Sequence, residues 1–145
     1  MKVGVKMYEL KKIQTNFQKV QIKESKIGYE FIKQFFGDDI EIFESFFILL
    51  LNRNNQTIGY AKISQGGISG TVVDIRLIAK YAVESLCSSV ILAHNHPSGN
   101  LNPSEQDKNI TSKVKDALNM FEISVIDHII LTSESYYSFA DNGVL

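Results

Sequence analysis

Residues 89–107 read SVILAHNHPSGNLNPSEQD, and the order of side-chain types in this stretch decides the fold. Ser89 to Ala93, with Val90, Ile91 and Leu92 in succession, is the unbroken apolar run of a strand buried on both faces. His94 and His96 follow at its carboxyl end. On extended backbone, residues two apart project to the same side, so both imidazoles can address one point in space. Open α/β sheets place ligands just beyond the carboxyl ends of their central strands. The Pro97-Ser98-Gly99-Asn100 turn then reverses the chain, and Asp107, eleven positions after His96, can return as an oxygen ligand. Two neutral nitrogens and a carboxylate would leave a tetrahedral ion one open position for water. The competing reading has both histidines capping the strand end and bonding loop carbonyls.

Ser104-x-x-Asp107 after Pro103 also has the form of a capping box, with Ser104 as N-cap and Asp107 three residues on. The two roles are compatible. A capping serine oxygen accepts a backbone N–H and keeps its own proton free to donate. A carboxylate in the first helical turn is favoured as an anion by the helix dipole. The spacing predicts a helix from Ser104 to about Met120 with Ile110, Val114, Ala117, Leu118 and Phe121 as its buried stripe.

Working outward, Ser25–Phe36 carries Ile27, Phe31, Ile32, Phe35 and Phe36 at helical spacing before the stop Gly37-Asp38-Asp39. Residues 40–51 and 57–64, separated by Asn52-Arg53-Asn54-Asn55, read as a β-hairpin. A short strand is expected near 71–73, a helix over Ile75–Leu86, and strands over Ile123–Thr132 and Tyr136–Ala140. The expected order is αββ(β)αβαββ, an α/β or α+β mixed sheet flanked by helices.

Hydrolysis by a metal-activated water needs a proton acceptor. Glu41, Glu44, Glu84 and Glu105 are the candidates. Glu44 is preferred, because it interrupts an otherwise apolar strand, where a carboxylate is costly unless bonded or functional; Glu41 is second. Asp127 and His128 are neighbours on a strand and must point to opposite faces. They are candidates for orienting the ligands from behind.

A chain of 145 residues with 44% hydrophobic content supports one core and one domain. The net charge of -1 lacks the strongly basic character of a dedicated nucleic-acid binder. Residues 1–26 nevertheless hold seven lysines against Glu9 and Glu24, an excess of five positive charges, so the remainder carries six negative. Cys87 is the single cysteine, which excludes an intrachain disulfide or a thiolate metal cluster. The longest apolar run, Phe46–Leu51, is far too short to span a bilayer, and the opening MKVGVKMYEL lacks the apolar run of a signal peptide. The expectation is a cytoplasmic protein without membrane contact.

Glu44, His94-x-His96, seven residues, Ser104, two residues, Asp107, together with HNHPSG and DHII, resemble the RadC-like family of JAB/MPN (JAMM) domains over roughly residues 24–141. The resemblance implies a cytidine-deaminase-like fold over 24–145, with residues 1–23 a lysine-rich extension. It implies Zn2+ held by His94, His96 and Asp107, Glu44 as general base, Ser104 as oxyanion donor, and hydrolysis of a peptide or isopeptide bond in a peptide or protein substrate. RadC-like chains often carry a helix-hairpin-helix before this domain. Residues 1–23 are too few for it and lack the glycine-centred hairpin, so DNA binding by that segment is not implied. A role in DNA repair or recombination, with nucleic acid as partner, is the second reading; a silent scaffold is the third. A base deaminase would need HxE and Pro-Cys-x-x-Cys, which are missing. Exposed strand edges could support a homodimer.

Overall fold

Strand β3 (Ser89–Asn95) is buried along its whole length, as an unbroken apolar run requires when both faces of a sheet are covered. Around it, the computed structural model describes residues 2–67 and 72–145. The elements are α1 (Ser25–Lys33), β1 (Ser45–Leu51), β2 (Thr57–Gln65), α2 (Ile75–Glu84), β3, α3 (Glu105–Asn119), β4 (Ser124–Leu131) and β5 (Tyr136–Ser138). The sheet order is β2-β1-β3-β4-β5. β1 pairs antiparallel with both β2 and β3, β3 pairs parallel with β4 through the α3 crossover, and β5 closes antiparallel on β4. This is the expected α+β mixed sheet.

Side chains alternate between two cores. Phe46, Ile48, Leu50, Val90 and Leu92 meet Ile78 and Ala82 of α2 and Val114 and Leu118 of α3. Leu49, Leu51, Ile91, Ala93, Ile129 and Leu131 meet Phe31 and Ile32 of α1. Removing each such side chain from water contributes about 1.5–3 kcal/mol, so helices docked on both faces hold the sheet between them. The second core reaches back into the extension: Ile22 is buried, the Thr57 amide donates to the Val20 carbonyl at 2.9 Å, and Phe17 stacks on Tyr60. Residues 2–16 are exposed and form no regular element.

Several boundaries differ from expectation, each for a local reason. α1 stops at Lys33; Phe35 and Phe36 leave the helical path to pack against Tyr60 and Phe47. α2 stops at Glu84 rather than Leu86, whose positive φ of 55° turns the chain toward β3. The expected burial of Phe121 does not occur. It lies beyond the C-cap Met120 and is 56% exposed, while Glu122 at φ 57° reverses the chain and Ile123 fills the core instead. Of the strand expected at 71–73, Thr71 lies outside the described residues, and Val72 and Val73 are in no strand. Among the described residues no helix is long and apolar enough to cross a membrane.

Candidate metal centre

Antiparallel pairing sets Phe46 directly opposite His94, so the amino end of β1 and the carboxyl end of β3 meet at one edge of the sheet. The Phe46 ring stacks on the His94 imidazole at 5.8 Å and forms an apolar wall behind it. His94 is the sixth residue of β3 and His96 the first after it; the His96 amide donates to the Leu131 carbonyl of β4 at 2.9 Å. α3 returns Asp107 to the pair. Its capping box is complete, with the Ser104 amide donating to Asp107 Oδ2 at 2.8 Å and the Asp107 amide to Ser104 Oγ at 3.0 Å.

Three side chains therefore converge. His94 Nε2 and His96 Nε2 are 3.0 Å apart, and Asp107 offers Oδ1 to the first at 3.3 Å and Oδ2 to the second at 3.2 Å. The hydrogen bonds behind the rings decide which nitrogen carries a proton. His96 Nδ1 lies 2.6 Å from the Asn100 carbonyl, which can only accept, so Nδ1 is protonated and Nε2 presents a lone pair. His94 is set through two further residues. The Thr111 hydroxyl donates to the Asp107 carbonyl at 2.7 Å, its oxygen accepts from His128 Nδ1 at 2.6 Å, and His128 Nε2 accepts from His94 Nδ1 at 2.7 Å. His94 Nε2 is again the free lone pair.

Two lone pairs and a carboxylate facing one another at these distances form a donor set that suits a cation. A tetrahedral ion bonded at about 2.0–2.1 Å needs donors roughly 3.3 Å apart, close to the spacings observed. In metal-free protein a proton shared between His96 Nε2 and Asp107 fills the same gap. Burial alone would raise the Asp107 carboxyl, but in metal-free protein the His94 and His96 imidazoles, when they carry a proton toward it, and the Ser104 amide hold it well below the usual carboxylate range. Burial would lower His96, yet the bonds to Asp107 and the Asn100 carbonyl raise it above its ordinary value. His128, wholly buried and beside His94, is pushed well below its ordinary value and stays neutral.

Glu44 has a different address from the one expected. Residues 38–41 wind into a 3-10 turn and the strand starts only at Ser45, so Glu44 is the residue before β1 and not inside it. Its backbone pairs with Gly66 and Gly67. Its carboxylate reaches a group with His94 and His96 whose ligand atoms all lie within 4.8 Å. Two three-residue sets thus compete, and the shorter distances favour His94, His96 and Asp107 as ligands, with Glu44 at the range of one intervening water. Glu41, Glu84 and Glu105 are exposed and line no part of the cleft.

Asp127 is corrected. Strand alternation sends it to the opposite face, where it accepts from the Ser138 hydroxyl at 2.6 Å and the Ala140 amide at 3.0 Å; it fixes the chain end after β5 and touches no ligand. His128 backs His94 directly. Sequence reasoning missed Thr111, whose placement one helical turn after Asp107 was its only signal, and Asn95. Asn95 is fully buried; its Oδ1 accepts from the Ser45 amide at 2.7 Å and its Nδ2 donates to the carbonyls of Ile40 and Phe43 at 2.7 and 2.8 Å. The residue between the histidines therefore clasps the backbone on both sides of Glu44.

A cleft of about 590 Å3 opens over the centre, lined by Glu44, Phe46, His94, His96, Ser104 and Asp107. Pro97, Ser98, Asn100 and Asn102 of the loop after β3 also line it.

The fold and this donor set define a class: an α+β domain that gathers two histidines from a strand end and a carboxylate from a helix start into one ligand group. A family model described as RadC-like JAB domain matches residues 22–144, and the chain belongs to that family. It is similar to UPF0758 proteins of Flavobacterium johnsoniae (48% identical, 70% of this chain and 44% of that one) and Porphyromonas gingivalis (42%, 86% and 54%). UPF0758 protein YfjY of Escherichia coli is 44% identical over 70% of this chain and 64% of its own. The chain spans about half the length of the curated relatives it matches.

Proposed function

We propose that the chain is a zinc-dependent hydrolase of the JAMM type that cleaves peptide or isopeptide bonds. The observation that carries this reading is the convergence of two imidazole lone pairs and a carboxylate at 3.0–3.3 Å with a second carboxylate, Glu44, just behind. His94, His96 and Asp107 would hold the ion. Bound there, zinc would polarise the scissile carbonyl and bring the pKa of a coordinated water down to about 7. Glu44 accepts the proton of the attacking water and returns it to the leaving amine. The Ser104 hydroxyl already accepts the Asp107 amide, so its own proton is directed to the developing oxyanion. The Phe46 ring excludes water from one side, which strengthens both interactions.

The test is zinc content and peptide hydrolysis in parallel. Glu44→Gln is expected to retain one zinc per chain and lose hydrolysis. Turnover in that variant would remove Glu44 from the role of base; wild-type protein purified without chelator and lacking zinc would count against the whole reading.

A nucleic-acid role is the second reading, favoured by one observation: Lys2, Lys6, Lys11 and Lys12 lie on the exposed arm and are free to meet phosphates. Binding of duplex or single-stranded DNA should then weaken steeply with salt.

A further inference from the structure

The cleft is not symmetric in charge. Apart from the histidines, its ionisable lining among the described residues consists of Glu44, Asp107 and one cation, Lys113. Gln106, Ile110 and Lys113 stand at i, i+4 and i+7 on α3, so one row of the helix forms this wall. Val73 and Ile110, both packed against the core, supply apolar lining to the same cleft. Among the described residues Lys113 forms no ion pair.

From this we infer that the cleft takes a peptide bearing a carboxylate, with an apolar side chain over Ile110 and Val73 and Lys113 as the counter-ion. The inference rests on the hydrolase reading of the site. Six residues separate Asp107 from Lys113, a helical rise of about 9 Å. An extended peptide advances about 3.3–3.6 Å per residue, so the carboxylate lies roughly three residues from the bond held at the centre. A chain terminus and an Asp or Glu side chain offer the same group, and they are separable by experiment.

Zinc-loaded protein is titrated calorimetrically with blocked peptides that differ only in a free or amidated C-terminus, and with a second pair that differs only in Asp or Asn at the same distance. Wild type is expected to bind one acid about fivefold more tightly than its neutral partner, the range of a solvent-facing ion pair. The preference should vanish in Lys113→Gln and reverse in Lys113→Glu. The pair that discriminates names the source of the carboxylate. Equal binding of acid and neutral peptides by wild type, no binding of either, or a preference that survives in Lys113→Gln overturns the inference. Hydrolysis is followed in the same samples. Cleavage without acid preference removes only the subsite, whereas acid-selective binding without cleavage keeps the subsite and removes the reaction.

Discussion

Replacing Thr111 by Val tests whether the buried chain behind His94 prepares the metal site. The two side chains have nearly the same shape, so the change removes a hydroxyl and little else. His128 is fully buried and Thr111 is 2% exposed, so no solvent can replace the lost acceptor of His128 Nδ1. A buried donor left unsatisfied costs about 1–3 kcal/mol. The protein can avoid that cost by moving the His128 proton to Nε2, which donates to His94 Nδ1 and forces the His94 proton onto Nε2. That is the atom a metal must occupy. Either way the penalty falls on the metal-competent form, and about 1–3 kcal/mol corresponds to roughly 5- to 150-fold in affinity. Substitutions behind metal-bound histidines generally cost about 10–100-fold. Zinc affinity by competition with a chromophoric chelator, with nitrogen NMR of the His94 ring in metal-free protein, reads both halves of the effect. Thr111→Ser should restore affinity and tautomer together. A Thr111→Val protein that binds zinc within twofold of wild type, or a Thr111→Ser protein as weak as Thr111→Val, would refute the reasoning.

Zinc binding should weaken as pH falls. His96, raised above its ordinary value, must lose a proton to serve as ligand, while Asp107 stays ionised far lower; affinity measured from pH 8 to pH 5 is expected to drop about tenfold per unit below the His96 pKa. In metal-free protein the sign is opposite: the raised His96 contributes stability that is complete below its unfolded pKa and is lost as pH rises through the folded one, which thermal unfolding with a chelator present will register. Asn95→Ala should cost about 2 kcal/mol in urea unfolding, most of it from the buried Ser45 amide it strands and less from the part-buried carbonyls of Ile40 and Phe43, which water can reach. Once folded, the variant should bind zinc within a few-fold of wild type but hydrolyse poorly, because the clasp holds the Glu44 segment and not the ligands; equal losses in both would argue against that division.

What the sequence disclosed was mostly local. Ser89–Asp107 showed strand, turn and capped helix because each signal involves residues within a few positions of one another, and the same stretch holds four of the candidate site residues, His94, His96, Ser104 and Asp107. Glu44 was legible as a residue but not as a position: the apolar run from residue 40 masked the 3-10 turn, since Ile40, Ile42 and Phe43 fit a strand pattern whether or not they form one. Asn95 was unreadable because its partners are main-chain atoms of residues 40, 43 and 45, which leave no trace in side-chain types. Thr111 and His128 meet only after α3 and β4 pack, and nothing in either segment alone announces that contact. Phe121 continues the apolar spacing of α3 but lies past the C-cap Met120, where the chain turns away from the core, so its periodicity does not translate into burial.

The antiparallel pairing of Phe46 with His94 divides the site between two stretches of chain with separate origins. The candidate ligands lie within fourteen consecutive positions, 94–107, and the proposed base comes from fifty residues earlier. Sliding β1 along β3 by two residues would carry Glu44 about 7 Å away while leaving the ligand group whole. Under the proposed reading, capturing an ion and using it are therefore separable: a chain altered only before β1 would keep the ligand group and lose the base.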